Sequence, residues 1–210
     1  MDDDHTDEII ACRLDPDSDE ITIGLVSGEK GFMLADLQGN IKIKDDIGHA
    51  QRISTGNYRP GEKGFEVCAT NYWGHQGTVY LYDHAGNPLW ELENTLSGNI
   101  IAPVNWTGDG HDLILLNPDV KLGGLIDGDG VQAVSFPEDG HPELCCEVID
   151  LCGDARDELV VWDMQRMFIY TQDNEIEGEV YAPIKYPHRN CSNYRGEYSL
   201  PDKSFITVKK

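Results

Sequence analysis

Apolar and polar residues alternate along this chain in short runs separated by turn residues. Phe32-Met33-Leu34-Ala35-Asp36 leads through Leu37-Gln38-Gly39-Asn40 into Ile41-Lys42-Ile43. Val79-Tyr80-Leu81-Tyr82-Asp83 leads through His84-Ala85-Gly86-Asn87 into Pro88-Leu89-Trp90-Glu91-Leu92, an offset of 83 − 36 = 47 residues between the two aspartates. Each reads as strand, turn, strand, because alternation turns one face of a strand inward and Gly-Asn sequences close hairpins. Met167-Phe168-Ile169-Tyr170-Thr171 with Gln172-Asp173-Asn174 is a third version. No segment carries an apolar stripe of helical period over three turns, so the chain is predicted to be all-β.

A second, acidic pattern recurs. Asn105-Trp106-Thr107-Gly108-Asp109-Gly110-His111-Asp112 runs into Leu113-Ile114-Leu115-Leu116, and Asp150-Leu151-Cys152-Gly153-Asp154-Ala155-Arg156-Asp157-Glu158 runs into Leu159-Val160-Val161-Trp162. Their offset is 150 − 105 = 45. A weaker copy starts at Asn57, with an offset of 105 − 57 = 48, and the N-terminal Asp2-Asp3-Asp4-His5-Thr6-Asp7-Glu8 before Ile9-Ile10-Ala11 is taken as a further copy. Repeats of this length with several short strands each predict β-propeller blades, four-stranded sheets that bury their faces on one another. The 210 residues hold about four and a half such repeats. The expectation is a single domain over 1–210 of four to five four-stranded blades, forming part of a larger ring, because the N-terminal copy starts inside its own acidic loop. A self-contained four-bladed ring and a β-sandwich are the alternatives.

Alternate side chains of an acidic loop can converge on one centre, and Ca²⁺ takes six to eight oxygens. The candidate ligands are Asn105, Asp109 and Asp112 in one loop, Asp150, Asp154 and Asp157 in the next, and Asp2, Asp4 and Asp7 at the N-terminus. The same residues also suit metal-free Asx turns. The copy at Asn57 carries Arg59 in a ligand position, which would expel a cation. Asp127-Gly128-Asp129-Gly130 faintly suggests an EF-hand, but Gln132 stands where glycine is required, so a turn is expected.

Charge narrows the partners. Asp and Glu number 38 against 16 Lys and Arg, a formal net charge of −22. Such a chain repels nucleic acid and anionic membranes, so neither is an expected partner. No apolar run approaches the roughly 20 residues that span a bilayer. The first residues do not form a signal peptide. The six cysteines, at 12, 68, 145, 146, 152 and 191, contain no C-x-x-C pair and read as reduced core residues. They point to a reducing compartment; a secreted protein is expected instead if an N-terminal segment is missing.

The segment Gly48-His49-Ala50-Gln51-Arg52, followed by Gly56-Asn57-Tyr58-Arg59-Pro60-Gly61-Glu62-Lys63-Gly64-Phe65-Glu66-Val67, resembles a blade of the rhamnogalacturonan lyases and related β-propeller polysaccharide lyases. So do Gly153-Asp154-Ala155-Arg156-Asp157-Glu158-Leu159-Val160 and the tail Asn193-Tyr194-Arg195-Gly196-Glu197-Tyr198-Ser199-Leu200-Pro201. The resemblance covers most of the chain and implies a C-terminal part of such a propeller, with a polysaccharide substrate. It implies β-elimination: a base removes the proton α to a uronate carboxylate, positive charge stabilises the enolate, and an acid protonates the departing oxygen. His49 is the candidate base or uronate neutraliser, and His75 its partner proton donor. Arg52 or Arg59 suits the uronate carboxylate, Tyr72 suits the acid, and Trp73 offers a stacking platform for a sugar ring. The rival expectation is a non-catalytic, calcium-stabilised propeller that binds carbohydrate or protein. Either form is expected to need further blades or self-association to cover its open faces.

Overall fold

The computed structural model describes residues 4–73, 77–96, 99–176, 180–182, 185–187, 197–199 and 207–209. The described residues form strands and loops, with no helix among them. The first sheet contains β1 (Thr6–Cys12), β2 (Thr22–Ser27), β3 (Gly31–Asp36) and β4 (Ile41–Asp45). The second contains β5 (His49–Gly56), β6 (Glu66–Trp73), β7 (Thr78–Tyr82) and β8 (Pro88–Glu93). The third contains β9 (Ala102–Val104), β10 (Leu113–Leu115), β11 (Leu125–Ile126) and β12 (Gln132–Val134). The fourth has three strands, β13 (Cys145–Ile149), β14 (Glu158–Trp162) and β15 (Met167–Tyr170). Beyond them β16 (Val180–Ala182) pairs with β19 (Thr207–Lys209), and β17 (Lys185–Pro187) pairs with β18 (Glu197–Ser199). The four larger sheets are antiparallel meanders in sequence order, which is the architecture of propeller blades. They close no ring among the described residues.

Each blade face is apolar because strand alternation sends successive side chains to opposite neighbours. Val67 and Ala69 join Ile10, Val26, Phe32 and Ile53 between blades one and two. Cys68, between them in sequence, joins Val79, Leu81, Ile114 and Ile126 between blades two and three. Leu113, Leu115 and Leu125 join Cys146, Val148, Leu159 and Val161 between blades three and four. The cysteines at 12, 68 and 146 are buried, and none of the five described cysteines forms a disulfide.

The predicted hairpins at Asp36 and Asp83 match almost atom for atom. Asp36 Oδ1 accepts from the N–H groups of Gln38 and Asn40 at 2.9 and 2.8 Å, and Oδ2 accepts from Asn40 Nδ2 at 2.7 Å. Asp83 does the same with Ala85 and Asn87, at 2.9, 2.8 and 2.8 Å. Gly39 and Gly86 sit at φ +83° and +88°, where a side chain would be strained. Asp127 closes the β11–β12 turn likewise, accepting from Asp129 and Val131, so this acidic segment is a turn as expected. The third expected hairpin shifts: Asp163 turns the chain into β15 by accepting from Gln165 and Arg166, and Gln172-Asp173-Asn174 follows the strand.

The acidic loops clasp one blade to the next. Asp112 N–H donates to the Asn57 carbonyl at 3.1 Å, Asn57 N–H donates to Asp112 Oδ2 at 2.8 Å, and Asn57 Nδ2 donates to the Gly110 carbonyl. Asp157, Asn105 and Ala155 repeat this one blade later, at 2.9, 2.8 and 2.6 Å. Between blades one and two only the backbone bond survives, from Phe65 N–H to the Leu14 carbonyl at 2.9 Å. There both side chains are apolar and buried, and packing replaces the polar pair.

Glu66, the residue after that contact, is buried and accepts from Arg59 N–H at 3.0 Å. Burial pushes its carboxyl up from 4.5 to about 7, against the pull of that hydrogen bond and the Arg59 charge. A carboxyl with a raised folded-state value binds its proton more tightly when folded. Its contribution is therefore full below pH 4.5 and is lost as the pH rises through about 7. Glu66→Gln is expected to stabilise the protein at pH 8, by up to about 3 kcal/mol, and to change little at pH 4. Urea midpoints of both proteins at the two pH values measure this, and an equal difference at both would refute it.

Candidate functional site

The first strands of successive blades, β1, β5, β9 and β13, neighbour one another, as innermost propeller strands do. The site lies where β1 and β5 begin. Asp7 sits in β1, beside Glu8, Ile10 and Cys12, which turn inward. His49 opens β5 opposite the Trp73 backbone, and the register slips twice between His49 and Arg52. Bulges of this kind re-aim side chains at sheet ends. They bring His49, Arg52 and, from β6, Tyr72 to the Asp7 side of the blade.

His5 Nε2 lies 3.3 Å from Asp7 Oδ2, and His49 Nε2 lies 3.9 Å from the same oxygen. The other Asp7 oxygen accepts from Gln51 Nε2 at 3.2 Å. The rings of His5 and His49 are 5.4 Å apart, and those of His49 and Tyr72 are 6.5 Å apart. The Asp7 side chain is 9% exposed, His49 17% and His5 61%, so the group is buried at its base and open at His5. Burial raises the Asp7 carboxyl, while the charges of His5, His49 and Arg52 oppose the rise. Asp4 anchors the outer edge. Its carboxylate accepts from the Ser27 hydroxyl and from Glu29 N–H at 2.9 Å, and stands 3.5 Å from His5 Nδ1. The Ser27 bond, helped by the backbone donors, holds Asp4 down at about 2. Below, Glu8 Oε2 accepts from Ile53 N–H at 2.8 Å, and Glu8 Oε1 lies 4.0 Å from Arg52 Nη1. Arg52 thus meets a buried carboxylate and the His49 cluster together.

Of the four catalytic candidates, His49 and Tyr72 stand with their rings 6.5 Å apart, and the Arg52 charge acts on Asp7 beside them. The fourth, His75, lies outside the described residues, as do the Trp73 side chain, Asp2, Tyr194 and Arg195. Arg59 does not join them. It follows the far end of the eight-residue β5 and pairs with Asp129 at 3.4 Å.

The expected calcium ligands are also redistributed. Asp4 and Asp7 were expected in one acidic loop ahead of a strand, as at Asp112 and Asp157. Asp7 instead lies within β1, a first strand, whereas Asp112 and Asp157 precede the second strands β10 and β14. The N-terminal run is thus no copy of those loops, and Asp4 and Asp7 flank His5 at its two ring nitrogens. The loop ahead of β2 is Asp15-Pro16-Asp17-Ser18-Asp19, and Lys63 pairs there with Asp15 and Asp17. In the loop at Asn105, the Asn105 amide reaches toward blade four and Asp112 toward blade two, while Asp109 accepts from Thr107 and His111. In the loop at Asp150, that carboxylate accepts from Gly153 and Ala155, and Arg156 sits 2.9 Å from Asp154. No three His, Cys, Asp or Glu ligand atoms of these two loops gather at one centre among the described residues. His5, Asp7 and His49 do gather. The pairing was hidden because His5 and His49 are 44 residues apart and meet only when two blades pack.

The architecture is that of adjoining propeller blades with a histidine-carboxylate cluster at the end of the innermost strands. In fold, the chain is similar to two solved polysaccharide lyases. Against the exotype rhamnogalacturonan lyase YesX the TM-score is 0.59, with 19% identity over 80% of this chain and 31% of that one. Against the rhamnogalacturonan lyase YesW the TM-score is 0.54, with 19% identity over 78% of this chain and 28% of that one. The likeness establishes the fold, and the chain spans less than a third of either structure. No protein-family model matches the sequence, and no characterised protein matches it significantly in sequence.

Proposed function

We propose that this chain contributes to a polysaccharide lyase that cleaves a rhamnose- and uronate-containing polymer by β-elimination. One observation carries the reading: His49 and Tyr72, singled out in the sequence for this chemistry, stand with their rings 6.5 Å apart where β5 begins, and the Arg52 charge acts on Asp7 beside them, in a fold shared with such lyases. Arg52 supplies a permanent positive charge for the uronate carboxylate, which acidifies the neighbouring C–H. His49 directs Nε2 at Asp7, and this favours its role as part of the carboxylate-neutralising wall. Proton movement falls to Tyr72 and His75: the α-proton leaves, the C–O bond to the next sugar breaks, a C=C bond forms, and the departing oxygen takes a proton.

The test is ultraviolet absorbance of the unsaturated uronate during incubation with rhamnogalacturonan and other rhamnose–uronate polymers, with added Ca²⁺ and with chelator. Rising absorbance is the expected result, and loss of the rise in chelator would assign a cation to the reaction. A flat trace from folded protein would overturn catalysis by this chain and favour the binding propeller.

A further inference from the structure

We propose that His5, Asp7 and His49 form a binding site for a divalent transition-metal ion of the zinc kind. One ligand atom from each lies within 4.8 Å of the others. Tetrahedral Zn²⁺ with bonds of about 2.0–2.1 Å holds its ligand atoms about 3.3 Å apart. The 3.3 Å from His5 Nε2 to Asp7 Oδ2 meets that spacing, and the 3.9 Å to His49 Nε2 closes to it with a small turn of the ring.

An independent observation points the same way. Asp7 Oδ2 is buried and accepts no hydrogen bond, although its side chain is nine-tenths buried. A buried acceptor without a donor costs free energy that a bound cation would recover. Its sister oxygen is held by Gln51, which fixes the orphaned oxygen toward the two imidazoles. The outer shell is also built. Asp4, anchored by Ser27 and Glu29, stands behind His5 Nδ1, so a histidine that ligates through Nε2 has a carboxylate on its other nitrogen.

The donor set selects the metal. Two imidazoles and one carboxylate suit zinc, iron, nickel or copper, whereas Ca²⁺ needs six to eight oxygens. Three protein ligands leave a fourth position open, as in catalytic rather than structural zinc sites, and the exposed His5 marks the open side. If the lyase reading holds, that position is where a uronate carboxylate would coordinate; the metal site itself does not depend on it.

Titration calorimetry of chelator-treated protein with Zn²⁺, and separately with Ca²⁺, tests the proposal. One Zn²⁺ per chain is expected, with Ca²⁺ at least about 100-fold weaker. Co²⁺ in place of zinc should give the visible absorption of a four-coordinate site. His5→Ala changes an exposed residue outside the strands, and Asp7→Asn keeps the size and the Gln51 contact. Each should weaken Zn²⁺ binding at least about tenfold with the circular dichroism unchanged. Absence of Zn²⁺ uptake, or uptake that survives in both variants, would overturn the site. Binding is read without substrate, so its failure stays distinct from a failure to cleave polymer.

Discussion

Asp157→Ala is expected to destabilise the protein by about 3 kcal/mol, the largest effect of any single change at a blade contact. The carboxylate is 2% exposed and accepts from Asn105 N–H at 2.8 Å across the junction of blades three and four. Removing it leaves a buried amide without its acceptor, and that penalty adds to the lost charge-assisted bond. Asp157→Asn keeps an acceptor oxygen and should lose only about 1 kcal/mol. Denaturant unfolding of the three proteins decides the matter. Equal losses for alanine and asparagine would mean that the charge, not the acceptor, holds the clasp. Asp112→Ala should behave alike at the preceding junction, where the same three bonds recur.

His49→Ala should lower polymer cleavage by about 100-fold or more while leaving the fold in place. The ring is half-buried and packs beside His5 and Tyr72, so its removal trims an edge and opens no core cavity. Arg52→Lys separates charge from geometry. Lysine retains the positive charge but not the planar fork, and a loss of about tenfold would show that the uronate is held by two parallel hydrogen bonds. Initial rates of ultraviolet absorbance, beside circular dichroism, measure both. Full activity in His49→Ala would remove this residue from the site.

The blades were legible because their signals are local. Asp36 with Gly39 and Asn40, and Asp83 with Gly86 and Asn87, carry all the chemistry of a turn within five residues. Strand alternation then gives each face its neighbour, as Val67, Cys68 and Ala69 show. The acidic loops are legible as a pattern, but the blade-to-blade bonds they make are not. A row of aspartates suggests a cation, whereas Asp112 and Asp157 spend their oxygens on the next blade's backbone, a partner too distant in sequence for spacing to reveal. The N-terminal aspartates misled for a related reason: only the pairing of β1 with β2 shows that Asp7 belongs to a first strand. His49, Arg52 and Tyr72 were recognisable one by one. That Asp7 and His5 would meet them needed two blades in contact.

The clasps join each blade only to its immediate neighbour, at Leu14–Phe65, Asn57–Asp112 and Asn105–Asp157. Fastenings of this kind stand in series, so a load along the chain is borne by all of them and the weakest yields first. Stretched in an optical trap, the chain should lengthen in steps, each releasing one repeat of 45 to 48 residues, or roughly 160 Å of extended backbone. The step at Leu14–Phe65, fastened by a backbone hydrogen bond and apolar side chains, should yield at a different tension from the two with aspartate clasps. The saw-tooth record would then count the repeats in order of their fasteners' strength.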